Sequence, residues 1–139
     1  MRMTLRRVTS LLPEYKQVKK LYHDAFPPEE RPPFFMLTAK TGSDDVDFWA
    51  IYADSKWVGL AYVISKDKLS YLFYLAVSDT ERGKGYGSAI IHTLRRMYDG
   101  QQFFLALETL DENAENYDER VKRRNFYIHN GLVPVEIGR

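Results

Sequence analysis

The chain of 139 residues predicts a single α/β domain, residues 1–139, whose sheet is largely antiparallel and flanked by helices. Three observations carry that expectation. Apolar runs at residues 48–52, 57–65 and 69–77 are separated only by short polar turns, which implies an antiparallel meander. A glycine-rich turn then passes directly into a helix-like run. Beyond it, an apolar run, a second helical pattern and a last apolar run follow in order.

Taken from the N-terminus, residues 3–8 alternate weakly and read as a first strand. Tyr15, Val18, Leu21, Tyr22 and Phe26 fall near helical spacing, so residues 14–26 read as an amphipathic helix. Pro27 and Pro28 stop it. Residues 26–33 are rich in proline and predict a stiff connection, with a short helix over residues 34–39. Of the three meander strands, residues 69–77 alternate most clearly, placing Leu69, Tyr71, Phe73, Leu75 and Val77 on one face. A helix over residues 85–98 stops near Gly100. Residues 103–107 read as a buried strand, residues 119–130 as a helix closed by Gly131, and residues 133–137 as a final strand.

Composition narrows the function classes. A domain of this size buries about two-thirds of its unfolded surface and needs no covalent staples. There are no cysteines, which rules out disulfides and thiolate chemistry, and three histidines without cysteine give no metal-ligand pattern. The net charge of +1 supplies no global field toward nucleic acid or anionic membrane. No apolar run approaches the ~20 residues of a membrane span. The N-terminus, Met1-Arg2-Met3-Thr4-Leu5-Arg6-Arg7, lacks an apolar signal core, so a cytoplasmic protein is expected.

The chemistry concentrates in Leu75-Ala76-Val77-Ser78-Asp79-Thr80-Glu81-Arg82-Gly83-Lys84-Gly85-Tyr86-Gly87-Ser88. A strand entering a glycine turn and leaving as a helix aims backbone N–H groups at one point, at the positive end of the helix dipole. Such a point suits phosphate, and Arg82 and Lys84 add charge beside it. The run has neither the Walker A spacing nor a full dinucleotide fingerprint, since Ser88 stands where the third glycine of the latter is required.

What it does carry is Arg-x-x-Gly-x-Gly, at Arg82, Gly85 and Gly87, preceded by Leu75 and Val77. Further along stands Phe126-Tyr127-Ile128-His129-Asn130-Gly131-Leu132, which is similar to a Phe/Leu-Tyr-x-x-x-Gly-Phe signature with Leu132 in place of the usual Phe. Together, in this order and with a strand-like run between them, the two resemble the GCN5-related N-acetyltransferase (GNAT) family across residues 49–132. The resemblance implies a GNAT-like acyl-CoA N-acyltransferase fold. Its central sheet is mixed, mostly antiparallel and flanked by helices, and its fourth and fifth strands run parallel and splay apart to admit acyl-CoA.

The same resemblance implies site residues. Main-chain groups of Leu75, Ala76 and Val77 would face the pantetheine arm, and N–H groups of Arg82, Gly83, Lys84, Gly85, Tyr86, Gly87 and Ser88 would hold the pyrophosphate. Tyr127 would protonate the departing CoA thiolate, a task suited to a phenol, which stays protonated at neutral pH. Glu108, at the end of the fifth-strand run, is the first candidate for the general base, ahead of Tyr74 and His129. Lys122-Arg123-Arg124 either reaches the 3′-phosphate of CoA or forms a solvated helix face, and the solvated face is the expectation. Glu29-Glu30-Arg31 falls where relatives place a mobile substrate-recognition element.

The chain also departs from the pattern. Arg120 and Arg123 stand where relatives carry Asn and Ala, leaving Asn116 as a substitute pantetheine contact. Past Gly131 there is room for one further strand where relatives have two, from which a missing last strand or a homodimer that completes the sheet is expected. The implied reaction is direct acetyl transfer from acetyl-CoA to a small-molecule or peptide amine, without metal, nucleic acid or membrane. The alternative is a non-catalytic acyl-CoA-binding regulatory module on the same fold.

Overall fold

A computed structural model describes residues 1–40, 43, 45–107 and 110–134. Five strands form one sheet in chain order: β1 (Met3–Arg7), β2 (Val46–Ala53), β3 (Lys56–Lys66), β4 (Leu69–Val77) and β5 (Gln102–Phe104). The first four are antiparallel to their neighbours, while β4 and β5 run parallel. Between β1 and β2 lie α1 (Tyr15–Ala25) and α2 (Phe34–Lys40), between β4 and β5 lies α3 (Tyr86–Met97), and α4 (Tyr117–His129) follows β5.

The β2–β3 turn is tight because Asp54 and Ser55 both take positive φ, 50° and 74°, which keeps the hairpin twist in register. Asp67 does the same at the β3–β4 turn, with φ 56°. Asp and Ser tolerate this because their short polar side chains bond locally.

The sheet is covered on both faces. Val18, Leu21 and Tyr22 of α1 and Phe34 and Leu37 of α2 pack on Phe48, Ala50, Tyr62, Tyr74 and Ala76. On the other face Ile90, Ile91 and Leu94 of α3 pack on Ile51, Ala61, Val63 and Leu72, joined by Phe126 and Tyr127 of α4. Strands buried on both sides explain why residues 57–65 read as a continuous apolar run rather than an alternating one.

Two expectations are corrected. The single-face alternation of β4 breaks, because Tyr62 pairs with Tyr74 and Val63 with Leu72, leaving Phe73 as the extra residue of a β-bulge. Leu72 and Leu75 therefore share one core face while Tyr74 joins the opposite one. The fifth strand is also shorter than residues 103–107: only Gln102, Phe103 and Phe104 pair, with Leu69, Ser70 and Tyr71. Leu105, Ala106 and Leu107 have left the sheet. Val133 and Pro134 are not strand, and residues 135–137 of the expected last strand lie outside the described residues.

Candidate active site

Because β5 stops pairing after Phe104, β4 runs on from Leu72 to Val77 without a paired strand on that side among the described residues. The gap opens as a cleft of about 1000 Å³. It is walled by Leu72, Phe73 and Leu75–Val77 on one flank and Leu105–Leu107 on the other, with Phe126 and Tyr127 of α4 beside them. Arg82, Gly83 and Gly85–Ser88 close one end, and Asp24, Ala25 and Phe26 of the α1 terminus reach the rim. Of the residues expected from sequence to contact the coenzyme, Leu75, Ala76, Val77, Arg82, Gly83, Gly85, Tyr86, Gly87 and Ser88 all line this cleft; Lys84 does not.

The glycine turn is shaped for backbone donors. Gly83 and Gly85 have φ of 79° and 81°, a left-handed conformation that costs other residues about 1–2 kcal/mol. Gly85 is the N-cap of α3, and the first bond of the helix runs from the Ala89 N–H to the Gly85 carbonyl. No side chain caps α3 and no acidic residue stands in its first turn. The N–H groups of Tyr86, Gly87 and Ser88 thus precede the helical ladder and lie at the positive end of the dipole.

Gly87 is there for a different reason. A Cβ on it would come within 3.1 and 3.2 Å of the Phe126 ring, so the missing side chain lets α4 approach the start of α3. Gly59 acts likewise inside the sheet, where a Cβ would sit 2.4 Å from the Ala76 carbonyl oxygen.

The cations of the loop are held by its own carboxylates. Arg82 pairs with Asp79 at 2.9 Å and donates from Nε to the Val77 carbonyl at 3.2 Å. Lys84 reaches Glu81 at 3.1 Å, and Lys56, from the start of β3, reaches the same Oε1 at 2.8 Å. Glu81 is 5% exposed, and the hydrogen bond from Lys56 chiefly holds its carboxyl below the ordinary carboxylate range, assisted by Lys84. Sequence reasoning missed Glu81 as an anchor. Its signal was faint: the last carboxylate of an acidic 3-10 turn, Asp79–Glu81, next to the basic loop.

Tyr127 is half-buried on α4, and burial pushes its phenol above the ordinary value, with the Arg123 charge opposing. Its main chain is fixed by a Schellman motif. The Leu132 N–H donates to the Tyr127 carbonyl at 3.1 Å, and the Gly131 N–H to Ile128 at 3.0 Å, with Gly131 at φ 90°. Leu132 then returns to the core beside Tyr127.

The remaining expected residues divide. Lys122 and Arg123, both exposed as a solvated helix face would be, also line the cleft with Glu119; Arg124 does not. Asn116 accepts from Arg120 Nε at 2.8 Å, and neither residue lines the cleft. Tyr74 is buried, and its hydroxyl donates to the Glu30 carbonyl at 2.9 Å. His129 is exposed at the end of α4 and outside the cleft. The segment of Glu29-Glu30-Arg31 is tied down: Tyr22 bonds the Pro32 carbonyl at 2.7 Å, and Arg31 bonds that of Phe26 at 2.7 Å. Glu108 lies outside the described residues. Among the described residues no group of His, Asp and Glu is placed to hold a metal ion, and no helix is long and apolar enough to cross a membrane.

Comparison with known proteins agrees with this layout. The model of the acetyltransferase (GNAT) family matches residues 15–121. No curated protein sequence matches the chain significantly. Among solved structures, a protein from Bacteroides thetaiotaomicron described as a GNAT-family acetyltransferase superposes with a TM-score of 0.78 at 24% identity, covering 94% of this chain and 71% of that one. An aminoglycoside acetyltransferase from an uncultured soil metagenomic sample, in complex with sisomicin, gives 0.70 at 16% identity, covering 99% and 93%. An N-acetyltransferase from E. coli bound to coenzyme A gives 0.68 at 17%, covering 98% and 94%.

Proposed function

The chain belongs to the acetyltransferase (GNAT) family, and we propose that it moves an acetyl group from acetyl-CoA to a primary amine by direct attack within a ternary complex. The observation that carries this reading is the junction of two features: the uncapped start of α3 behind left-handed Gly85, and the gap where β4 loses β5. The first fits a pyrophosphate, and the second fits a slender arm lying along β4.

In this reading the N–H groups of the 82–88 turn bind the pyrophosphate, and Lys122 and Arg123 face further phosphate across the cleft. The open edge of β4 from Leu72 to Val77 lends main-chain groups to the pantetheine arm and polarises the thioester carbonyl. The neutral amine attacks the carbonyl carbon, the C–N bond forms and the C–S bond breaks. Tyr127 delivers its proton to the departing thiolate; its raised pKa keeps that proton in place at neutral pH. Glu108, following the cleft-lining Leu105–Leu107 segment, is assigned the base that removes the amine proton. Holding both reactants in one cleft adds the advantage of an effectively unimolecular step.

Isothermal titration with acetyl-CoA tests the reading, with Gly85→Glu as control. Saturable binding abolished in the control, followed by amine-dependent thiol release, is the expected result. Binding without release for any amine would favour a regulatory acyl-CoA-binding module. Absence of binding would overturn the proposal.

A further inference from the structure

The cleft extends from the glycine turn back along β4 toward the point where β5 rejoins it. Val77 stands at the phosphate end and Phe73 four residues earlier, about 13 Å away at the usual strand rise. On the acetyl-transfer reading, the part around Phe73 is the end left for the acceptor, and its lining differs from that of the phosphate end.

Five aromatic rings run in contact from the α1 terminus across β4 to β5, and two of them, Phe26 and Phe73, line the cleft. Phe26 lies 4.7 Å from Tyr74, Tyr74 5.8 Å from Phe73, Phe73 4.6 Å from Tyr71, and Tyr71 4.8 Å from Phe104. Packed aromatics usually bury themselves, yet Phe73 is 50% exposed and Phe104 38% exposed. The bulge explains how: as the extra residue of β4, Phe73 has no opposite partner on β3 and turns into the cleft. Tyr74 is held behind it by its bond to the Glu30 carbonyl, so the row has a fixed backing. An exposed apolar wall inside a cleft marks a binding surface.

Among the described residues, few carboxylates line the cleft: Asp24, Glu81 and Glu119. Glu81 is held by Lys56 and Lys84 at the loop, Glu119 stands one turn from Lys122 and Arg123, and Asp24 pairs with Lys20. A polycationic acceptor needs several carboxylates to replace its hydration; the described lining offers these three, each beside a lysine, and Glu108, following Leu107, is the proposed base.

We propose that the acceptor carries its primary amine on an aromatic or otherwise apolar body that packs against Phe73 and Phe26. This rests on the acetyl-transfer reading. Two aromatic contacts correspond to a preference of about tenfold or more over an acceptor that makes none.

The test is thiol release at saturating acetyl-CoA with 2-phenylethylamine, tryptamine, spermidine and kanamycin, on wild type, Phe73→Ala, Phe73→Leu and Phe26→Ala. The two aryl amines are expected to exceed spermidine and kanamycin at least tenfold in kcat/KM. Phe73→Ala should collapse that ratio through KM, and Phe73→Leu should restore part of it. Phe26→Ala gives an independent reading if Phe73→Ala fails to fold. Titration of wild type with acetyl-CoA separates the two claims: no binding removes the transferase reading and this inference together. Binding with spermidine or kanamycin preferred, or with no turnover of either aryl amine, overturns this inference alone. An unchanged ratio in both alanine variants would also overturn it, and if self-association changed instead, the row would be a protein contact.

Discussion

Gly85 and Gly87 sit two residues apart in one motif, yet the structure gives them different physical reasons, and paired alanine substitutions separate these. At Gly85, φ is 81° and nothing lies within 4 Å of a built Cβ, so Gly85→Ala incurs backbone strain alone. That strain is about 1–2 kcal/mol, offset by roughly 0.4–1 kcal/mol from the stiffer unfolded chain. A net loss of about 1 kcal/mol lowers Tm by about 4 °C in a domain of this size. Relief of the strain swings the following N–H groups out of line. Losing one charge-assisted bond of about 1.5–3 kcal/mol weakens acetyl-CoA binding by at least tenfold. At Gly87 the added methyl gains about 1 kcal/mol of helix propensity. It meets the Phe126 ring at 3.1 Å, and overpacking costs about 1–3 kcal/mol, so stability moves little. The displaced ring adjoins Tyr127 at 5.0 Å between centroids, so Gly87→Ala should lower kcat more than it raises Kd. Thermal melts, isothermal titration and steady-state kinetics on both variants give the six numbers. Wild-type affinity in Gly85→Ala would refute the aligned-donor account. A loss of affinity without loss of kcat in Gly87→Ala would refute the coupling through Phe126.

Tyr127→Phe keeps the packing and removes the proton. Its kcat should fall by about 10²–10⁴-fold with Tm nearly unchanged, and unchanged kcat would end the acid role. Because burial raises the Tyr127 pKa above the ordinary 10.0, any loss of wild-type activity from its ionisation should fall on the alkaline side of that of a free phenol; its contribution to stability is present below 10.0 and is lost as pH rises through the folded value. Glu81→Gln leaves Lys56 and Lys84 without their shared carboxylate, so KM for acetyl-CoA should rise while kcat holds, as read by initial rates. Since the Glu81 pKa is lowered, its stabilisation is present above 4.5 and lost as pH falls through the folded value; melts from pH 7 to pH 3 should show that loss in wild type and a flatter profile in the variant. Gly131→Ala strains a φ of 90° and puts a Cβ 2.8 Å from Arg95 Nη1, so calorimetry should show about 1–2 kcal/mol of destabilisation.

Much of the fold could be read because its signals are local. The meander follows from short turns, α3 from its glycine start and apolar spacing, and α4 from its Gly131 stop; each boundary falls within a few residues of expectation. The misreadings lie where long-range pairing overrides local pattern. Nothing in Leu69–Val77 announces the bulge, since an extra residue is defined only against β3. The departure of β5 after Phe104 is likewise a matter of what lies across the gap, not of the apolar run itself. In the site, backbone donors were legible from glycine spacing because conformation is written into residue type. Side-chain partners were not: the grip on Glu81 comes from Lys56, distant in sequence on the neighbouring strand β3, and the aromatic row joins the α1 end, β4 and β5.

The two motifs are separate in sequence but meet in space, and that meeting explains why each has its form. Phe126 fills the room that Gly87 leaves empty, so the first motif needs its last glycine because of the second. Tyr127 follows Phe126 directly and faces the cleft. Its carbonyl is capped by Leu132, and the cap requires Gly131 between them in the left-handed region. The buried Asn130 side chain ties back to the Phe126 carbonyl at 2.8 Å, and Arg95 of α3 bonds the Asn130 carbonyl at 3.1 Å. A phenol used as an acid must be held within a fraction of an ångström of its target. Here it is held on one side by a helix cap and on the other by α3, the helix whose start forms the phosphate site. Binding at the glycine turn and placement of the proposed acid thus share one rigid contact. Disruption of that contact should therefore move both turnover and affinity, turnover the more, whereas disruption of the cap alone should move turnover.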